Sequence, residues 1–116
     1  MDHQENNPWI TKSKHVVHET PWIKIIHHDV INPVGKDAIY TTVEFKNKAV
    51  GVIPIDEEGN TWLVGQYRFP INQYSWEITE GGCPEGEDPL YTAYRELKEE
   101  TGIVAQEMKE IYNLHL

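Results

Sequence analysis

With 116 residues, of which 39% are hydrophobic and 25% charged, the chain accommodates one domain with a modest core and has the composition of a soluble globular protein. Its net charge of −9 argues against a nucleic-acid partner, because such partners usually meet a basic surface. No stretch approaches about 18 consecutive apolar residues and the first residues lack a secretory signal, so we expect no membrane partner and a cytoplasmic location.

Five segments rich in β-branched and aromatic residues predict strands, and turns containing glycine, proline or asparagine separate them. In chain order these strands are predicted at residues 22–30, 38–45, 49–55, 61–68 and 74–79. Residues 15–19 are a further candidate for a short strand. The short turns favour antiparallel pairing of neighbouring strands.

One helix is predicted over residues 89–101. Asp88 suits the N-cap, Pro89 suits the first helical position, and Gly102 suits the position after the last turn. At about 100° per residue, one arc of the helix is mainly apolar and is expected to pack against the sheet. The residues of this arc are Leu90, Ala93, Tyr94, Leu97 and Thr101.

Three acidic side chains, Glu96, Glu99 and Glu100, border this arc. They are like charges at i,i+3 and i,i+4 and lie towards the negative end of the helix dipole, and both arrangements disfavour the isolated helix. A bound cation would reverse both effects, and carboxylates without histidine or cysteine favour Mg²⁺ or Mn²⁺ over zinc. The alternative is a solvated acidic face on which Arg95 and Lys98 reduce the repulsion.

The segment before the helix, residues 80–87, contains three glycines, so we predict a loop whose backbone can approach a ligand closely. Gly81, Glu87 and the run RELKEETGI at 95–103 have the spacing of the Nudix box, and the chain resembles the Nudix hydrolase family at every defined position of this motif. The resemblance implies an α/β fold, an α/β/α sandwich with a mixed sheet.

The same resemblance implies a single domain over residues 1–116, with a partial core at 49–116 that contains the box at 81–103. Residues 1–48 would supply N-terminal strands and a dimerisation region, so we expect a homodimer. Members of the branch that this chain resembles continue well beyond the equivalent of Leu116. We therefore expect the C-terminal part of the fold to be absent from these 116 residues.

The family resemblance also assigns roles to residues of the box. The implied ligands of Mg²⁺ or Mn²⁺ are Glu96, Glu99, Glu100 and the backbone carbonyl of Glu80. Glu99 and Glu100 are the candidate catalytic residues, because a carboxylate base is needed to take a proton from the attacking water. Structural roles fall to Gly81, Glu87, Arg95 and Gly102, with Glu87 and Arg95 expected to join loop to helix in bidentate geometry.

Residues 65–70 (GQYRFP) and 75–78 (SWEI) resemble the ADP-ribose and nucleoside diphosphate sugar pyrophosphatases within this family. The resemblance implies cleavage of such a sugar nucleotide to a nucleoside monophosphate and a sugar phosphate. Arg68 and Glu77 would contact its phosphates or sugar, and Trp22, with Trp9 and Tyr40 as further candidates, would stack on the base. One alternative for the whole chain is a truncated or non-catalytic module that binds metal or nucleotide without efficient turnover. For Arg68, the alternative to a contact with substrate is an ordinary ion pair on the protein surface.

Overall fold

The computed structural model describes residues 5–115, so residues 1–4 and Leu116 of the predicted single domain lie outside the described part. The described elements are β1 Ile10–Glu19, β2 Ile23–Ile31, β3 Asp37–Phe45, β4 Lys48–Val52, β5 Val64–Arg68, a 3₁₀ turn at Phe69–Ile71, β6 Gln73–Glu77, β7 Thr79–Cys83 and α1 Pro89–Thr101. The chain forms two compact units, Met1–Lys46 and Asn47–Leu116, and their union in one domain stays a prediction. Within residues 5–115, no helix is both long and apolar enough to cross a membrane.

The first unit contains a three-stranded antiparallel sheet in the order β1-β2-β3. Its central strand, β2, contributes the buried side chains Ile26 and Val30. Strand β1 begins at Ile10 and is longer than the predicted 15–19, although every one of its residues is exposed. An edge strand open to solvent tolerates polar residues on both faces. The polar residues at 11–14 therefore do not show the alternation that predicts a strand, and the first half of β1 was not predicted.

The second unit contains two antiparallel ribbons, β4 with β7 and β5 with β6. The β5–β6 hairpin closes through the 3₁₀ turn and Asn72, whose φ of 52° is the left-handed value that asparagine tolerates. Strand β4 pairs with β7 rather than with β5, its neighbour in sequence, so the prediction that neighbours pair fails here. All pairings within residues 5–115 are antiparallel, and the parallel pairing of a mixed sheet is not among them.

The predicted strand at 74–79 is two strands, and the predicted loop at 80–87 begins inside the second of them. In β7, Gly81 lies opposite Val50 and Gly82 lies opposite Ala49 of β4. Glycine weakens an isolated strand. Here the hydrogen-bonded pairing with β4 and the packing of α1 stabilise β7 as a strand. The true loop is residues 84–88, where Gly86 has a φ of 84°.

Helix α1 has the predicted bounds, Pro89–Thr101. The Asp88 side chain accepts a hydrogen bond from the Leu90 N–H at 3.0 Å, and the N–H of left-handed Gly102 donates to the Lys98 carbonyl at 2.9 Å. Packing of α1 on β4 and β7 buries Val52, Ala93 and Leu97. Leu90 was expected in this interface but is 48% exposed, and Thr92 is buried instead.

Candidate active site

The strand–helix junction at the start of the box is a close contact between Gly81 of β7 and Glu96 of α1. A Cβ atom at residue 81 would overlap Cγ, Cδ and Oε1 of Glu96, whereas a Cβ at Gly82 would meet nothing within 4 Å. The Glu96 side chain is 15% exposed, and its Oε1 accepts a hydrogen bond from Arg95 Nη1 at 3.1 Å. The absence of a side chain at Gly81 therefore allows a carboxylate of α1 to lie against β7.

Glu87 joins the loop to the helix through one carboxylate oxygen. Its Oε1 accepts hydrogen bonds from Arg95 Nη2 at 2.9 Å, from Arg95 Nε at 3.3 Å and from Thr92 Oγ1 at 2.6 Å. The contact is thus convergent on a single oxygen and not the two-oxygen, bidentate geometry expected from the sequence. The Thr92 hydroxyl first, and the Arg95 guanidinium second, hold the pKa of the Glu87 carboxyl below its usual value.

Arg95 also faces two of the acids that the sequence suggested as metal ligands. Its Nη1, which donates to Oε1 of Glu96, also lies 3.4 Å from Oε2 of Glu99. The side chain of Glu99 is 57% exposed. The guanidinium therefore bridges the loop carboxylate of Glu87 and two carboxylates of α1. This single cation offsets part of the repulsion among these acids.

Glu96, Glu99 and Glu100 of α1 and Glu80 of β7 form what we call the acidic group. Within it, Glu100 lies near Glu80 of β7. Burial first, and then the negative charges of Glu96 and Glu80, raise the pKa of the Glu100 carboxyl, while a backbone hydrogen bond from Glu80 and the positive charge of Arg68 oppose this effect. The structure thus brings Glu80, Glu96 and Glu100 into one electrostatic environment. Glu99 projects instead towards solvent and Arg95.

The donor chemistry of this acidic group fits a hard divalent cation. It offers carboxylate oxygens, and oxygen ligands are what Mg²⁺ and Mn²⁺ prefer. The side chains are not assembled around a common point, because within residues 5–115 no three histidine, cysteine, aspartate or glutamate side chains converge as a metal site. The residues present therefore fit the ion in kind but would have to rearrange to enclose it.

The β5–β6 ribbon presents a polar face that contains Arg68 and Glu77. Alternation along the strands places Gln66, Arg68, Ser75 and Glu77 on this face and Tyr67, Tyr74 and Trp76 on the other. Arg68 Nε donates to both oxygens of Glu77, at 3.0 and 2.9 Å. Through space, the negative charges of Glu77, Glu80 and Glu100 all help to raise the pKa of Arg68, after the hydrogen bond to Glu77.

The aromatic candidates belong to the first unit. Trp22 lies in the turn between β1 and β2 and is 70% exposed. Trp9 and Tyr40 pack edge to face, with ring centroids 5.4 Å apart. Together with His28, Val30 and Thr42, they line a shallow cavity of about 260 Å³ on the sheet.

Two features of the site were missed by sequence reasoning. Thr92 was not singled out, although its hydroxyl makes the shortest hydrogen bond to Glu87, and only its place one turn after the loop could have indicated this. Glu77 was considered as a contact to substrate, whereas both of its oxygens accept hydrogen bonds from Arg68. That pairing depends on the β5–β6 register, which no residue pattern in the chain specifies.

One family model and several relatives match the chain. The model of the NUDIX domain matches residues 45–116. The chain is 38% identical over 89 residues to an ADP-ribose pyrophosphatase of Bacillus subtilis (strain 168), covering 77% of this chain and 48% of that protein. It is 32% identical over 103 residues to an ADP-sugar pyrophosphatase of Mus musculus, covering 80% of this chain and 47% of that protein.

A solved structure titled as an ADP compounds hydrolase supports the fold. It superposes with a TM-score of 0.75 at 23% identity, covering 85% of this chain and 54% of the other. The likeness confirms the predicted α/β class and the Nudix fold. The chain spans about half the length of these relatives. Because the family model covers residues 45–116, which include the whole box, the chain belongs to the NUDIX domain family.

Proposed function

We propose that the chain acts as a divalent-metal-dependent hydrolase that cleaves the pyrophosphate of a nucleoside diphosphate sugar, ADP-ribose or a close analogue, into a nucleoside monophosphate and a sugar phosphate. The observation that carries this proposal is the acidic group at the β7–α1 junction, where Glu96 lies against Gly81 and Glu100 lies near Glu80. The names of the relatives, an ADP-ribose pyrophosphatase and an ADP-sugar pyrophosphatase, support the substrate class.

In this proposal, Glu96, Glu99, Glu100 and the backbone carbonyl of Glu80 would hold Mg²⁺ or Mn²⁺. When bound, such an ion supplies positive charge that screens the phosphates and makes a water molecule more acidic. Without that charge, an acidic surface would repel an anionic pyrophosphate. Gly81, Glu87, Arg95 and Gly102 act structurally, by shaping the loop and the ends of α1 around these acids.

Glu100 and Glu99 are the two candidate bases, since a carboxylate is needed to take a proton from the attacking water. Without an ion, partial desolvation and the negative charges of Glu96 and Glu80 raise the pKa of the Glu100 carboxyl. The carboxylate of Glu99 lies beside Arg95, 3.4 Å from its Nη1. Arg68 would donate to the phosphates of the substrate. In the first unit, considered by itself, the ring of Trp22 is exposed and is the proposed stacking surface for a base.

The test is product analysis with the full chain. ADP-ribose, GDP-mannose and UDP-glucose are each incubated with Mg²⁺ and with EDTA, and the products are separated by ion-exchange chromatography. We expect AMP and ribose 5-phosphate from ADP-ribose with Mg²⁺ only, loss of this activity in Glu100→Gln, and full activity in the control Glu57→Gln, which changes an exposed acid of the β4–β5 connection. Absence of cleavage of all three substrates would overturn the proposal.

A second candidate function is a module that binds nucleotide with little turnover. It is favoured by one observation, that within residues 5–115 the acids of the box do not converge on a common point where they would hold the catalytic ion. Isothermal titration of ADP-ribose in Mg²⁺ separates the two candidates. Saturable binding without product in the same sample would establish the second and exclude the first.

We further propose a homodimer and a cytoplasmic location. The dimer is supported by apolar side chains exposed on β3 of the first unit, Ile39, Val43 and Phe45, which are 54% to 68% exposed. Cys83 is a buried, free thiol, as expected for a protein that stays in a reducing compartment. Light scattering coupled to gel filtration tests the dimer, and a mass equal to the single-chain 13.5 kDa would contradict it.

A further inference from the structure

The ion pair between Arg68 and Glu77 leaves one edge of the guanidinium available. Nε donates to both oxygens of Glu77, and Nη2 donates to Oε1 at 2.5 Å, so the Nε edge faces the carboxylate. Within residues 5–115, no protein group accepts a hydrogen bond from Nη1. Because a guanidinium carries five N–H donors in a planar fork, the edge formed by Nη1 and Nη2 keeps donors for a second anion.

Glu77 is itself fixed by neighbours on the same face of the ribbon. Its side chain is 18% exposed, and its Oε1 also accepts a hydrogen bond from Gln66 Nε2 at 3.5 Å. Gln66 is paired with Ser75 across β5 and β6, whereas Arg68 and Glu77 occupy opposite ends of the register. These contacts restrict the position of the Glu77 carboxylate, and its hydrogen bonds with Arg68 in turn restrict the orientation of the longer arginine side chain.

The Arg68 guanidinium, which carries this free edge, lies close to the acidic group of the box. After the contact with Glu77, the negative charges of Glu80 and Glu100 also help to raise the pKa of Arg68, and the positive charge of Arg68 in turn lowers that of Glu100. A pyrophosphate drawn to that acidic group by a divalent ion would thus come within the field of a guanidinium whose orientation is already set. Preorganisation of this kind reduces the entropy lost on binding.

We infer that Glu77 is a positioning residue that acts on the substrate only through Arg68, by holding the Nε edge of the guanidinium so that the Nη edge points to a phosphate of the nucleoside diphosphate. This inference rests on the proposed function and deepens it. It differs from the sequence-based expectation, in which Glu77 itself contacts the substrate. Oε1 of Glu77 already accepts hydrogen bonds from Arg68 and Gln66, and Oε2 accepts one from Arg68, which leaves less of the carboxylate for sugar hydroxyls.

A double-mutant cycle separates the two roles. Steady-state kinetics on ADP-ribose with Mg²⁺ are measured for wild type, Glu77→Ala, Arg68→Ala and the double variant, with Glu57→Gln as control. We expect each single variant to raise KM by about 10- to 100-fold, as for loss of a charge-assisted hydrogen bond, with a smaller change in kcat. In the Arg68→Ala background, Glu77→Ala should change KM by less than about twofold.

Independent effects of the two substitutions, multiplying in the double variant, would overturn the inference, because they would show that Glu77 reaches the substrate without Arg68. Glu77→Gln, which keeps the shape of the side chain, guards against misfolding and should raise KM as well. Wild-type KM in Glu77→Gln would also overturn it.

A second measurement does not depend on activity. The ¹⁵N-labelled Nε–H of Arg68, assigned by its loss in Arg68→Lys, should give a sharp, slowly exchanging NMR signal in wild type and Glu57→Gln, and should broaden in Glu77→Gln. An unchanged signal in Glu77→Gln would refute the positioning role. A wild-type chain that neither binds nor cleaves ADP-ribose would instead overturn the proposed function and the phosphate assigned to Arg68, whatever the NMR signal shows.

Discussion

Gly81→Ala should destabilise the protein, whereas Gly82→Ala should not. A Cβ at residue 81 would overlap Glu96 at Cγ and Cδ, close to the stem of that side chain, while a Cβ at residue 82 would meet nothing within 4 Å. Glu96 cannot swing aside freely, because it is largely buried and bonded to Arg95. Overfilling a packed contact costs about 1–3 kcal/mol, so Gly81→Ala should lose that amount of unfolding free energy.

Gly82→Ala is the matched control, since it adds the same methyl group to the adjacent residue of β7. Its φ is not in the left-handed region, so the substitution should leave stability unchanged or raise it by up to about 1 kcal/mol. Urea denaturation followed by tryptophan fluorescence measures both variants. Equal unfolding free energies for the two would refute the view that Gly81 is required by the approach of Glu96.

Three further outcomes are expected. Glu100→Gln should lower kcat for ADP-ribose by about 100-fold or more while leaving the urea midpoint unchanged or higher, because a like charge is removed from the acidic group; a lower midpoint with normal kcat would contradict this. Thr79 is fully buried and, in the described residues, its hydroxyl has no partner, so Thr79→Val should be neutral or stabilising by about 1 kcal/mol in the same assay. Because Thr92 and Arg95 depress the pKa of Glu87 from 4.5, its contribution to stability is present above that value and is lost as the pH falls through the lower folded-state pKa. Urea midpoints measured from about pH 6 to about pH 3 should therefore fall less steeply in Glu87→Gln than in wild type, and parallel curves would count against the contact.

The ends of α1 could be predicted from sequence because the signals are local. Asp88 caps the first turn, Pro89 fixes the first helical position, and Gly102 takes the left-handed conformation that ends the helix. Each depends on residues within one turn of it, so no tertiary information is needed.

Strand β7 could not be predicted in the same way. Its central residues, Gly81 and Gly82, have low strand propensity, and the pattern indicated a loop. What makes the segment a strand is its ladder with β4, which precedes it by about thirty residues, and the helix packed on it. Non-local partners of this kind leave no mark in a short window of sequence.

The candidate site shows the same division. The box residues could be listed from their spacing, since the family motif lies within one continuous segment. The contacts that orient them could not, because Thr92 reaches Glu87 across the loop and Glu77 reaches Arg68 across two strands. The expected two-oxygen contact of Glu87 with Arg95 was wrong for that reason, since Thr92 shares the same oxygen.

Manganese binding followed by electron paramagnetic resonance tests the central claim, that the acids of α1 bind a divalent cation. Mn²⁺ is added to wild type, Glu96→Gln and the control Glu57→Gln, and the signal of the free ion is recorded. We predict that wild type and the control deplete the free signal at concentrations at which Glu96→Gln leaves it almost unchanged. Equal depletion by all three proteins, or none by wild type, would contradict the account.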